Sequence, residues 1–449
     1  MAGRSSRPTA GRGVAMALTA GAAIVLTVFN ALKVWSERTR WDAQAPCPTP
    51  GCRDAAMVDF RDTIWLPTKW LLAGGDPYDG AAYAAQFPFA QDFPTYAPGH
   101  LALWLPFGAL PWQMAVTLAV VVNVAVVVAV GAWAGARCLQ QWRVPAPVDR
   151  AERLTAAAAG VTVLWLARTV ADAVGYGQPS VLYGLLAAPA LLTRRPSVAV
   201  LCTAVTCLKP HIGLFVVIIL LAQKRWRTAA FGATLAGGVS LAVAVWAAGG
   251  PSGLIPWLHT LAGNAGGSSA RRAVEYLGER IDVVGSALDH GLSVGGWATV
   301  AGLAAGVIAM VVAVRAAERL GLPLIGVVLA LSIALLAFYH ISYDAMWLLA
   351  PTALAGTTVC RAGDRDVRRA MLPGLAALGI AAFAARWHPI DVVVGPGTTI
   401  AVMRILLLLG TAALAFGLWR IGRRPPDLGS TEWTPRTRAR WTSRHFVSR

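Results

Sequence analysis

The chain has 449 residues, of which 56% are hydrophobic and only 14% charged, and its mean hydropathy is +0.57. Soluble domains carry roughly 25% charged residues, so a chain this poor in charge cannot cover a water-facing surface of its own size. The net charge of +17 does not point to nucleic acid, because the basic residues gather at Arg4 to Arg12, Arg137 to Arg153, Lys224 to Arg227, Arg361 to Arg369 and Arg420 to Arg449, at the ends of apolar runs. That is the placement expected of membrane loops facing anionic headgroups.

A helix needs about 20 apolar residues to cross the hydrocarbon core. In chain order the candidates are 14–34, 112–136, 154–172, 178–193, 196–208, 210–223, 228–248, 292–314, 322–339, 343–359, 370–385 and 399–419. The first is too long for a cleaved signal and has no small-residue cleavage site after it, so it reads as a retained anchor. Several are short, which predicts tilted or re-entrant pairs. The stretch 99–110, with Pro98, Pro106 and Pro111, predicts a broken or half-inserted helix. Recurrent small-residue spacings of the GxxxG kind predict close helix packing. The fold class is therefore all-α, a polytopic integral membrane bundle of about 12 helices. Residues 1–420 form the membrane domain, 35–97 its first outer loop with short amphipathic helices, and 421–449 a disordered basic cytoplasmic tail.

The lysines and arginines set the orientation. Both chain ends lie inside, and 35–97, 172–178, 208–211, 249–291, 339–344 and 386–398 lie outside. Eight of the 22 acidic residues fall between Glu37 and Asp92, and the outer set also holds Gln178, Lys209, His211, His340, Asp344 and His388. A transport path would place its ionisable groups near the midplane. Cys47 and Cys52 sit in a polar loop and can close a disulfide if that loop is in an oxidising compartment. Cys138, Cys202, Cys207 and Cys360 read as inert core residues.

The first outer loop reads MVDFRDTIWLPTKWLLAGGDPYDGAAY and is followed by YAPGHLALWLPFGALPW. An Asp-Phe pair soon after the first membrane helix, then GGDPYD, then YAP opening a membrane segment, resembles the polyprenol-phosphate-sugar-dependent glycosyltransferases. Within them it is similar to glycosyltransferase family 87, which includes mycobacterial α-mannosyltransferases and arabinofuranosyltransferases. GYGQPSVLYGLLAAPALL at 175–192 resembles the family's Gly-Gln motif, CLKPHIGLFVVIILLAQKRWR at 207–227 its Lys-Pro motif, and AFYHISYDAMWLLAP at 337–351 its late His and Tyr-Asp segment. The likeness runs from about residue 14 to 420 on short motifs, and YAP stands where Tyr-Pro-Pro is commoner. It implies a GT-C-like bundle in the cell inner (plasma) membrane. The implied reaction moves mannose or arabinofuranose from a polyprenyl-phosphate sugar to an envelope glycan or glycolipid at the outer face, with inversion.

Such a transfer needs a base for the acceptor hydroxyl and cationic donors for the leaving phosphate. Asp59 matches the family's catalytic aspartate by position, and its plain alternative is a helix cap or a solvated charge. Asp62, one turn on, is its rival. Lys209 is a phosphate contact or a snorkelling lysine, and His211 is a weaker candidate of the same kind. His340 and Asp344, four apart, share a helical face and orient a substrate group or bond two helices together. Gln178 meets sugar hydroxyls or opens a helix; Tyr96, Tyr78 and Asp79 contact substrate or fold the loop, DPYD being strong turn chemistry. Arg386 and His388 meet a headgroup or an acceptor. No Asp-x-Asp pattern stands out, so no metal and no cofactor are expected. The competing readings are a transporter or lipid-linked sugar flippase, and a non-catalytic scaffold.

Overall fold

The computed structural model describes residues 9–37, 57–88, 90, 96–143, 148–260, 280–284, 287, 296–338, 340–384 and 398–423. Cys47, Cys52, Arg386, His388 and nearly all of the basic tail lie outside them. Among the described residues there is no strand, only an isolated bridge between Arg280 and Ile341. The helices are α1 (Thr9–Glu37), α2 (58–72), α3 (Gly80–Gln86), α4 (Gly99–Gly108), α5 (Trp112–Arg143), α6 (Arg150–Leu166), α7 (Arg168–Tyr176), α8 (Ser180–Leu192), α9 (Pro196–Cys207), α10 (Pro210–Ala222), α11 (Trp226–Ala247), α12 (Gly296–Arg319), α13 (Pro323–Ala337), α14 (Leu349–Arg361), α15 (Arg365–Ala384) and α16 (Thr398–Gly422).

Five helices are each long and apolar enough to cross a bilayer: α1, α5, α11, α12 and α16. The candidate span 154–172 is broken instead, since α6 and α7 meet at 69°. Arg168 and Asp172 pair at 2.9 Å along α7, and a straight continuation would carry both into hydrocarbon, where charge is costly. The span expected from residue 343 begins as a 3-10 turn, Ser342–Leu348, before α14. α4 is unbroken and ten residues long, with Pro106 two residues from its end. Such a helix reaches about 15 Å, roughly half the hydrocarbon thickness.

Glycines let the long helices approach. A Cβ on Gly135 of α5 would lie 1.9 Å from the Ala156 carbonyl oxygen of α6, and one on Gly160 of α6 would lie 2.1 Å from that of Gly131. The GxxxG spacing 131–135 is thus a packing face. α15 and α16 meet in the same way at Gly374 and Gly410. Of the four cysteines described, Cys202 is buried while Cys360 is exposed, so Cys360 is not a core residue.

α8, α9, α10 and α13 have 13, 12, 13 and 15 residues. They are about 18–23 Å long against a hydrocarbon layer of about 30 Å. Arg225, just beyond α10, donates to the carbonyls of Leu191 and Thr193 at 2.6 and 3.2 Å, so the basic ends of α8 and α10 coincide. Their other ends carry Gln178, Ser180 and Lys209, and α13 ends just before His340.

The described part of the first outer loop is partly buried. α2 contains a π-helical turn, Arg61–Trp65, between Val58–Phe60 and Leu66–Leu72. Its residues Phe60, Ile64, Leu66 and Leu71 are fully buried, as are Tyr78 and Tyr83 beyond it. α2 thus packs into the bundle, whereas α3 buries Tyr83 and leaves Ala81, Ala82, Ala84, Ala85 and Gln86 exposed.

Candidate active site

The site starts where α7 stops. Gly177, at φ +70, receives a Schellman-type ending: its N–H donates to the Val174 carbonyl at 3.1 Å, and that of Gln178 to Ala173 at 2.8 Å. A Cβ on Gly177 would lie 2.6 Å from Phe60 Cβ, so the first turn of α2 rests directly on this glycine. Met57 enters α2 in the left-handed region at φ 64, and its N–H donates to the Gly175 carbonyl at 2.9 Å. These two special backbone positions bring Asp59 beside Gln178.

From there a line of polar contacts runs across the bundle. The Gln178 side-chain amide donates to the Asp59 carboxylate. Gln178 Oε1 accepts from the Tyr96 hydroxyl at 3.3 Å and faces the Ser180 hydroxyl at 3.4 Å. Lys209 Nζ donates to Ser180 Oγ and lies 2.9 Å from Asp344 Oδ1. Asp344 Oδ2 is 3.2 Å from His340 Nδ1 and 4.0 Å from His211 Nε2. The rings of Tyr96 and Tyr343 flank the Lys209 ammonium at 6.0 and 5.9 Å.

Lys209 is extended (φ −105, ψ 97) because it precedes Pro210, the first residue of α10. Its position at a helix N-terminus is unfavourable for a lone cation. Asp344 compensates: Lys209, Asp344 and His340 are 5%, 3% and 0% exposed, and charges buried to this extent persist only when paired. An ionised carboxylate can only accept, so Nδ1 of His340 carries a proton. Nε2 has no partner among the described residues.

Of the residues singled out from sequence, Asp59, Gln178, Tyr96, Lys209, His340, Asp344 and His211 come together. Asp62 does not join them, because its carboxylate holds Arg61 at 2.5 and 3.2 Å in a buried pair. The wide π turn keeps residues 59 and 62 from stacking as they would in a regular helix. Asp79 caps α3, accepting from Ala81 and Ala82 at 3.1 Å, and the Tyr78 hydroxyl donates to the Tyr96 carbonyl at 3.2 Å. Both therefore build the loop.

Sequence reasoning missed Ser180, His100 and the pair Arg280–Asp282. The first two stand inside motifs already singled out, next to Gln178 and Tyr96. No motif marks Arg280 and Asp282, which form a buried pair at 2.6 and 2.9 Å. Their segment is anchored by the Ile281 N–H to the His340 carbonyl at 2.9 Å and by Arg404 Nε to the Arg280 carbonyl at 2.8 Å.

His211, His340 and Asp344 place ligand atoms within 4.8 Å of one another, a possible metal set that no motif announces. Lys209 already neutralises the carboxylate at 2.9 Å, and its ammonium would repel a divalent cation bound to the same group. A cluster of one ammonium, two imidazoles and a single carboxylate suits an anion better.

A family model, described as glycosyltransferase family 87, matches residues 95–339, more than half of the chain. That stretch contains Tyr96, Gln178, Ser180, Lys209 and His211; Asp59, His340 and Asp344 flank it. No curated protein and no solved structure matches the chain.

Proposed function

The chain belongs to glycosyltransferase family 87, and on that premise we propose that it transfers mannose or arabinofuranose from a polyprenyl-phosphate donor to an envelope glycan or glycolipid. The supporting observation is the line of contacts itself, with a carboxylate at one end, cationic and imidazole groups at the other, and amide and hydroxyl groups between. Asp59 is the base. It takes the proton of the acceptor hydroxyl, the acceptor oxygen bonds the anomeric carbon from the face opposite the phosphate, and the anomeric carbon–oxygen bond breaks. The electron pair leaves with the polyprenyl phosphate, which Lys209 stabilises with His211 and His340. Gln178 faces the sugar hydroxyls, and Tyr96 holds its side-chain oxygen.

The short helices support a donor attached to lipid. With their basic turns at the inner headgroups, α8, α10 and α13 set the site about 10 Å below the opposite surface. A prenyl chain in the bilayer can present its phosphate at that depth without leaving the hydrocarbon. In this reading the site opens to the outer face of the plasma membrane, both termini are inside and residues 1–420 act as one catalytic unit.

The test offers the purified protein polyprenyl-phosphate mannose and polyprenyl-phosphate arabinofuranose in separate reactions, each with envelope glycolipid acceptors, and with a nucleotide sugar as control. Transfer from one of the two lipid donors, abolished in Asp59→Asn, is the expected result. Transfer from the nucleotide sugar alone would overturn the donor class.

A further inference from the structure

His100 is fully buried four residues beyond Tyr96, and both of its ring nitrogens are engaged. Nε2 is 3.0 Å from the Thr63 carbonyl oxygen and Nδ1 is 2.5 Å from the Tyr183 hydroxyl. A carbonyl can only accept, so Nε2 carries the proton and Nδ1 accepts from Tyr183. The Tyr183 oxygen in turn accepts the Trp104 indole N–H at 3.1 Å. Each nitrogen of the His100 ring thus has a defined role, which fixes both the tautomer and the ring.

What the ring holds is the backbone around Asp59. Thr63 lies in the π turn of α2, where the widened spacing frees main-chain groups for outside partners. Its hydroxyl donates to the carbonyl of Asp59 itself at 2.7 Å. On the other side, Tyr183 belongs to α8, which begins just after Gln178. The ring also supports Tyr96, stacked on it at 4.5 Å and 19°, whose hydroxyl meets Gln178. His100 thus joins the helix carrying the carboxylate to the helix and the tyrosine that orient the carboxylate's amide partner.

We infer that His100 is a positioning residue of the transfer reaction: through Thr63 it sets the height of Asp59 against Gln178. The inference rests on Asp59 being the base. A misplacement of about 1 Å costs on the order of a hundredfold in rate, so a lost anchor is read in turnover rather than in donor binding, whose Lys209 and Asp344 His100 does not touch.

The experiment compares His100→Asn, too short to reach the Thr63 carbonyl, with His100→Gln, whose amide nitrogen falls near the position of Nε2. Kinetics are read on monodisperse protein with its Tm recorded. The expected result is a kcat at least tenfold lower in His100→Asn with donor KM unchanged, and recovery of most of it in His100→Gln. In an Asp59→Asn background, His100→Asn should add no further loss. Normal kcat in folded His100→Asn, equal losses in the two variants, or additive losses in the double variant would each overturn the inference. If His100→Asn does not fold, Tyr183→Phe, which removes the donor to Nδ1, should show the same loss confined to kcat, and normal turnover there counts against the inference. Near-normal turnover in Asp59→Asn alone would instead remove the base and this inference with it. An inactive Asp59→Asn beside a normal His100→Asn removes only the inference.

Discussion

α1 has no acidic residue before Glu37, and most of its large apolar side chains face outward, Leu18 being 68% and Val25 64% exposed. α2 holds Asp59, Arg61, Asp62 and Lys69 between residues 58 and 72, and it buries Arg61 completely. In water these burials would be reversed. In a bilayer, lipid tails satisfy apolar side chains as well as protein does, whereas polar groups gain by turning inward to partners. The interior of this protein is where its polar chemistry is kept, and its exterior is where hydropathy is spent.

The contrast is sharpest at the Lys209–Asp344 pair. Lys209→Met leaves a buried carboxylate without its cation, which costs about 3–5 kcal/mol and should lower Tm in detergent markedly. The double variant Lys209→Met, Asp344→Asn should recover most of that Tm while still requiring far more donor. Recovery of both would make the pair structural and remove Lys209 from phosphate binding.

Asp59→Asn preserves shape and hydrogen bonding but not basicity. Loss of a general base costs about 10²–10⁴-fold, so turnover should fall at least a hundredfold, about 2.7 kcal/mol of barrier, with donor KM little changed. Asp62→Asn should be read in Tm instead, because Asp62 holds Arg61. If the Asp62 variant loses turnover and the Asp59 variant keeps it, the two roles are exchanged.

Gly177→Ala tests the joint between α7 and α2. A residue strained at positive φ costs about 1–3 kcal/mol, and here its Cβ would also displace Phe60. Tm and kcat should fall together. At the far end of the scale, Leu18→Ala on the outer face of α1 should change Tm by no more than about 0.5 kcal/mol equivalent. A large effect there would mean that α1 packs against another protein surface.

Much of this was legible beforehand. The apolar runs located most of the helices, because hydropathy at that length is a direct reading of the solvent. The motifs around Gln178 and Lys209 were legible because each sets a polar residue beside a glycine or proline that forces a special backbone, whereas Asp59 and Asp344 have no such neighbour and were legible through the family resemblance. The bend at Ala167 was not legible, since no proline or glycine marks it; it goes with a contact from outside the segment, Thr169 donating to the Ala382 carbonyl at 2.8 Å.

The sequence by itself determined the solvent, the helical class and which residue types were present to do chemistry, since those depend on composition and local spacing. Only the tertiary structure decided which of two carboxylates three residues apart turns to Gln178 and which to Arg61. It alone brought Lys209 to Ser180, and His100 to Thr63 and Tyr183. Each of these is a contact between residues distant in the chain or a rotation set by a π turn, and the free energy that selects it comes from partners that local sequence does not contain.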